Sequence, residues 1–163
     1  KKTIIFLCNS VEVIEGRPFH IDIAVSQVKK DAMDLCLKVA CELGVKNIYV
    51  MNTERSQKYE LNMQRVEKLL TSSIEQSNNP FMPTVKKVNL EKIINLDYHK
   101  KICFSSVAQP VESLRYECSK SHLLIVGPEG GFSLSEDSLL KANDIDYIHL
   151  ATPILRTQNA IPC

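Results

Sequence analysis

From Phe19 onward the chain alternates between strand-like and helix-like segments, and this alternation restricts the available folds more than any other feature. FHIDIAV (19–25) alternates apolar and polar residues; KNIYVM (46–51), TVKKV (84–88) and KICFSSV (101–107) read as strands; HLLIV (122–126) is the most apolar strand and YIHLA (147–151) the last. Between them, DAMDLCLKVACELG (31–44) sets Met33, Leu37, Ala40 and Gly44 on one helical line and Ala32, Cys36, Val39 and Leu43 on the next, with Gly44 as its stop. Helices are also expected from about Asn62 to Gln76, as a short turn from Leu90, from Val111 to Cys118 behind Pro110, and from Leu134 to about Asn143. Ser133 and Glu136 stand at capping-box spacing before the last of these. Such a series predicts an α/β fold, a mostly parallel sheet with helices on both faces.

The 163 residues suffice for one ordinary domain and a fragment of a second. With 44% hydrophobic and 24% charged residues the chain is neither disordered nor a membrane protein by composition, and no apolar run approaches the roughly 20 residues of a span. The apolar part of KKTIIFLCNS covers only Ile4 to Cys8, with no small-residue cleavage site after it, so it reads as a strand and not a signal peptide. Residues 1–15 look like two short strands, broken from the rest by GRP at 16–18; alone they cannot bury a core. They are expected to be the tail of an all-β unit or a hairpin on the main domain. A net charge of +1 gives no broad electrostatic footprint for nucleic acid, so any RNA attraction must be local. Six cysteines without a C-x-x-C pair, and four scattered histidines, give no metal site; Cys36, Cys41 and Cys103 are expected to be buried free thiols in a reducing cytoplasm.

The strand HLLIV runs into GPEGGF (127–132), placing a glycine turn where parallel sheets bind ligands. Gly127, Gly130 and Gly131 let a ligand approach the backbone. The turn lacks the lysine of a phosphate loop, and Glu129, Glu136 and Asp137 crowd the helix start with negative charge. A phosphate-free ligand with a purine edge, an amino-acid tail and a positive centre suits it, a description met by S-adenosylmethionine.

VGPEGGFS (126–133) together with ILRTQNA (154–160) resembles the paired C-terminal signatures of the RsmE family of SPOUT-type methyltransferases. DLCLKVACELGV (34–45), TERS (53–56) and IEQS (74–77) resemble further motifs of that family, in order, so the likeness covers about Ile21 to Ala160. The resemblance implies a trefoil-knotted domain over 19–163, a homodimer, and residues 1–18 as the last strands of an N-terminal PUA-like β-barrel. It implies methylation of N3 of a uridine in small-subunit ribosomal RNA from S-adenosylmethionine. Ribose 2'-O-methylation and a non-catalytic RNA-binding assembly protein are the alternatives. The family has glycine at Ala151, a basic residue at Pro153, Glu-Thr at Gln158–Asn159, and arginine at Asn79 and Ala32; a final helix is expected beyond Cys163.

Carried onto this sequence, the matched motifs nominate Gly127, Pro128, Glu129, Gly130, Gly131, Leu150, Ile154 and Leu155, with Ser105 at another strand end, as cofactor contacts. Arg156 and Arg55 are the candidate catalytic residues, because a permanently charged, fork-shaped guanidinium suits the charge that spreads over the uracil carbonyls when N3 loses its proton. Arg55 also stands as a substrate contact, to phosphate or base, with an ion pair to Glu54 as the plain alternative; Glu75 and Gln76 are nominated to position the uracil, or to cap a turn.

Overall fold

The strand patterns fold as their periodicity requires. In the computed structural model, which describes residues 7–11, 13, 16–17, 20–105, 110–111, 117, 119–150 and 155–162, strands and helices alternate along the chain. They are β1 (His20–Ser26), α1 (Lys30–Glu42), β2 (Asn47–Asn52), α2 (Met63–Ser77), β3 (Thr84–Asn89), α3 (Leu90–Ile94), β4 (Lys100–Phe104), β5 (Pro110–Val111), β6 (Ser121–Val126), α4 (Leu134–Lys141), β7 (Asp146–Leu150) and α5 (Thr157–Ala160). The seven strands form one sheet in the order β3-β2-β1-β6-β4-β7-β5, and every registered pair is parallel. The central pair, β1 and β6, aligns Ile23 with Leu124 and Val25 with Val126.

Alternate side chains of the central strands feed two cores, as a two-sided sheet demands. On one face Ile23, Val25, Ile48 and Val50 meet Met33, Leu37 and Ala40 of α1, Val66 and Leu70 of α2, and Ala160 with Ile161 at α5. On the other, Ala24, Tyr49, Met51, Cys103, Leu123 and Ile125 meet Leu90, Ile93 and Ile94 of α3 and Leu140 of α4. Leu37, Ile93, Leu123 and Leu140 are completely buried, each contributing about 1.5–3 kcal/mol of transfer free energy.

Local chemistry sets the ends. After α1, Gly44 (φ +78°) takes the left-handed turn; its N–H donates to Cys41 O (3.0 Å) and that of Val45 to Ala40 O (3.0 Å), a Schellman stop. α2 starts where Asn62 Oδ1 accepts from Arg65 N (3.0 Å) and ends at the left-handed Asn78. The buried Asp22 holds the amino end of the sheet together, accepting from Asn47 N and Nδ2 (2.7 Å each) and from the Tyr98 hydroxyl. Burial, then the bond to Asp22, raises the Tyr98 pKa.

Two expectations change. Val111 belongs to a two-residue strand with Pro110, paired to His149–Leu150 of β7, and not to a helix; residues 112–116 and 118 of that expected helix lie outside the described residues. Of the strands expected over 1–15, residues 7–11 and 13 carry no strand pairing, with Leu7, Val11 and Val13 exposed, and the others lie outside the described residues. Cys36, Cys41 and Cys103 are buried free thiols as expected. Desolvation pushes the thiols of Cys36 and Cys103 up to about 12.

Candidate active site

A parallel sheet opens a crevice where neighbouring strands send their connections to opposite faces. Here β1 leads to α1 on one face and β6 leads to α4 on the other, so the switch point lies at the carboxyl ends of β1 and β6. The glycine turn sits there. Gly127 follows Val126 directly, and a β-carbon on it would stand 2.9 Å from Cε2 of Phe132, so the turn can fold its own aromatic ring back only over a glycine. Gly131, at φ +70° with open space around it, donates to Pro128 O (2.9 Å) and reverses the chain. The turn then enters α4 through a complete capping box: Ser133 Oγ accepts from Glu136 N (3.3 Å) and Glu136 Oε2 accepts from Ser133 N (2.9 Å). Pro128 is buried, while Glu129 and Gly130 face solvent.

Two distant segments close on this turn. From the loop after β2, Arg55 Nη1 donates to Gly130 O (2.8 Å) and to Phe132 O (3.3 Å), and Glu54 N donates to Glu136 Oε1 (2.7 Å). That loop is itself rigid: Thr53 N donates to Ser56 Oγ (3.0 Å), Ser56 N to Thr53 O (3.2 Å), and Thr53 Oγ1 to Ser26 Oγ on β1 (3.3 Å). From the segment after β7, the buried Thr157 donates through Oγ1 to Gly127 O (3.0 Å). The turn therefore gains by folding the cation that its own sequence lacks. Arg55 makes no ion pair with Glu54 among the described residues; its Nη1 is directed at backbone carbonyls.

The remaining candidates divide. Ser105, half-buried, lies at the end of β4 with its N–H on Ile148 O (2.8 Å), and Leu150 ends β7, so both share the carboxyl edge with Gly127. Leu155 is half-buried against the α1 face. Ile154 lies outside the described residues, as do Ala151 and Pro153. Arg156 is exposed at the N-terminus of α5, one residue from the Thr157 anchor, and makes no ion pair among the described residues. Glu75 and Gln76 are exposed in the last turns of α2, and the chain does not bring them together with the glycine turn. As a crossover between parallel strands, α2 runs back toward the strand starts, and its 15 residues carry those side chains roughly 20 Å away.

Two polar groups near the crevice were not among the candidate site residues, although Gln158 stood out as a departure from the family's motif. Gln27 lies just past the Val25–Val126 pair, 1% exposed; its Nε2 donates to Tyr59 O (2.7 Å), but its Oε1 is buried without a partner among the described residues. Gln158 Oε1, beside Thr157, is buried and unpartnered in the same way. A buried acceptor without a donor is costly, by about 1–3 kcal/mol, and suits a ligand that brings N–H or O–H groups. Among the described residues no three metal-ligating side chains cluster.

Comparison with known proteins agrees with this geometry. The model of the RNA methyltransferase domain family matches residues 15–163. Ribosomal RNA small subunit methyltransferase E 2 of Borreliella burgdorferi is 31% identical over 96% of this chain, which spans 68% of that protein. The Aquifex aeolicus ribosomal RNA small subunit methyltransferase E is 30% identical over 94% of the chain and 71% of its own length. Among solved structures, a ribosomal RNA small subunit methyltransferase E from Neisseria gonorrhoeae bound to S-adenosyl methionine superimposes with a TM-score of 0.79 at 26% identity. That superposition covers 88% of this chain and 62% of that one, so the chain spans under two thirds of the solved relative.

Proposed function

We propose a function from one premise: this chain belongs to the RNA methyltransferase domain family. It methylates small-subunit ribosomal RNA with S-adenosylmethionine as donor, at N3 of a uridine. The observation that carries this is the convergence of three separate segments, 53–56, 127–133 and 155–158, on one crevice rich in open backbone and free of phosphate-loop chemistry. The residues present fit the donor. The turn is open at Gly131 and lined by the Arg55 side chain at Gly130, and Gln27 Oε1 and Gln158 Oε1 are acceptors for its amine and hydroxyl groups. Gly127, Pro128, Glu129, Gly130 and Gly131 would hold it from one side, and Ser105 and Leu150 from the strand ends beside it, with Ile154 and Leu155 added by their motif.

When bound, S-adenosylmethionine supplies an electrophilic methyl group on a sulfonium. The protein's own task is to present N3 of an unpaired uridine, since that atom lies on the pairing edge. Arg156, exposed and beside the Thr157 anchor, stabilises the negative charge that appears on the uracil carbonyl oxygens when the N3 proton leaves. Arg55 keeps the turn in shape through Nη1 and contacts RNA with its other donors. Glu75 and Gln76 reach such a site only from a second copy, which accords with a homodimer.

The finer architecture belongs to the same proposal. A trefoil-knotted course is part of it, and the packing of Leu155, Ala160 and Ile161 with residues of α1 and β1 supports that reading. Residues 19–163 form the methyltransferase domain, and residues 1–18 the end of a PUA-like barrel. The exposed Leu7, Val11 and Val13, all odd-numbered and so on one side of an extended chain, support a separate apolar partner for that segment. No helix among the described residues is long and apolar enough to cross a membrane, and the proposed place of action is the cytoplasm.

Incubation with S-adenosylmethionine and small-subunit RNA or particles, followed by nucleoside mass spectrometry, should yield 3-methyluridine. A ribose-methylated product would reassign the reaction, and donor binding without any product would make the chain an RNA-binding assembly protein. Arg156→Ala should lower methyl transfer by about 100-fold or more while the donor Kd changes less than about twofold. Full activity in that variant would remove Arg156 from the site.

A further inference from the structure

A capping-box glutamate needs one carboxylate oxygen for the helix it caps. Glu136 uses Oε2 in that way, on Ser133 N (2.9 Å), and turns Oε1 to Glu54 N (2.7 Å), 82 residues distant in sequence. The second bond does nothing for α4. The next residue of the same loop, Arg55, donates in the same sense to Gly130 O (2.8 Å) and Phe132 O (3.3 Å). Loop 53–56 and the segment 127–136 are thus joined by two links in which the loop donates each time, one to a carboxylate at the helix start and the other from a guanidinium to backbone carbonyls of the turn. Each link restrains the other: the Glu54 N–H bond fixes the loop backbone from which the Arg55 side chain projects.

We infer that Glu136 is a positioning residue for the methylation reaction: through Glu54 N it sets Arg55 against the glycine turn, so that loop and turn behave as one body. This rests on the function proposed above. It follows that donor binding on the turn and RNA contact at Arg55 are coupled, because neither segment can relax alone. Glu54 is exposed and Glu136 half-buried, so the link lies at the rim of the crevice where RNA and donor would meet.

The variant Glu136→Gln tests it. Glutamine is itself a capping-box residue, but it sets an NH2 donor where one carboxylate oxygen stood, so only one of Ser133 N and Glu54 N keeps its own acceptor. In the parent background we expect kcat/KM for RNA to fall about tenfold and the Kd of S-adenosylhomocysteine, read by calorimetry, to rise about threefold. In an Arg55→Ala background both changes should shrink below about twofold, since Glu136 acts through that arginine. Equal losses in the two backgrounds would mean that Glu136 only caps a helix, and would overturn the inference. Amide exchange at Ser56 and Gly131 in the unliganded protein gives the same double-mutant cycle without a cofactor. If the parent neither binds the ligand nor methylates RNA, the functional reading fails, and non-additive exchange still upholds the link while additive exchange ends it.

Discussion

Replacing Gly127 by alanine puts the packing of the glycine turn to a quantitative test. The added β-carbon would lie 2.9 Å from Cε2, 3.2 Å from Cδ2 and 3.3 Å from Cζ of Phe132, a distance at which carbon atoms repel. Phe132 packs against the core beneath α3 and α4, so the ring cannot simply swing out. Overpacking of this kind costs about 1–3 kcal/mol. The loss of unfolded-state freedom on going from glycine to alanine returns about 0.4–1 kcal/mol, leaving a net loss of roughly 0.5–2 kcal/mol. For a domain of this size that is a fall in Tm of about 1–8 °C. Thermal denaturation followed by circular dichroism reads the stability, and calorimetry with S-adenosylhomocysteine reads the turn. Adding Phe132→Leu should recover most of the loss, because a smaller side chain vacates the contact. The control is Gly131→Ala, where space is open and the cost arises from φ +70°; Phe132→Leu should not rescue it. If Gly127→Ala is as stable as the parent, or if its loss simply adds to that of Phe132→Leu, the close approach is not what fixes the glycine.

Two further outcomes follow from the described side chains. The Asp137 carboxyl is held below its ordinary pKa, first by its bond to Lys141 Nζ (2.6 Å) and also by the Tyr147 hydroxyl (2.9 Å), so its stabilisation is present above about pH 4 and is lost as acid protonates it. Asp137→Asn should therefore lower stability by up to about 1 kcal/mol at pH 7 and by less at pH 2 in chemical denaturation, a modest figure because the pair is solvent-screened; an equal loss at both values would contradict it. Iodoacetamide at pH 8 should label Cys8 in the native protein and reach Cys36, Cys41 and Cys103 only on unfolding, since burial holds the Cys36 and Cys103 thiols up at about 12; native labelling of Cys36 would refute the packing of α1.

What sequence could reveal, and what it could not, divides along the range of the interactions. Signals contained within a few residues survived folding almost unchanged: the Gly44 stop, the Asn62 start and the Ser133–Glu136 box each depend on bonds spanning at most five residues. Pro110 misled for the same reason in reverse. A proline suits a first helical turn, but β7 was near enough in space to take Pro110–Val111 as a strand. The strand order was illegible, because no local pattern says that β1 pairs with β6 and not β3. At the site, sequence marked the three converging segments but not their contacts. Arg55 was assigned outward roles because the carbonyls it binds belong to Gly130 and Phe132, far along the chain. Glu136 showed its capping role and concealed its second one. Glu75 and Gln76 were joined to the crevice by motif alone, and the direction of a crossover helix separates them from it.

The pairing of His20 with Ser121 at the middle of the sheet has a consequence for the protein's birth. During synthesis β1 emerges first, but its inner neighbour is made roughly a hundred residues later, at about 5–20 residues per second. For several seconds the nascent chain can assemble only β1, β2 and β3 with α1 and α2, leaving one long hydrogen-bonding border of β1 open. Parallel pairings so remote fold slowly and expose apolar edges meanwhile. Refolding of the complete chain should accordingly be slow, and helped by chaperones that shield that border until residues 121–126 arrive.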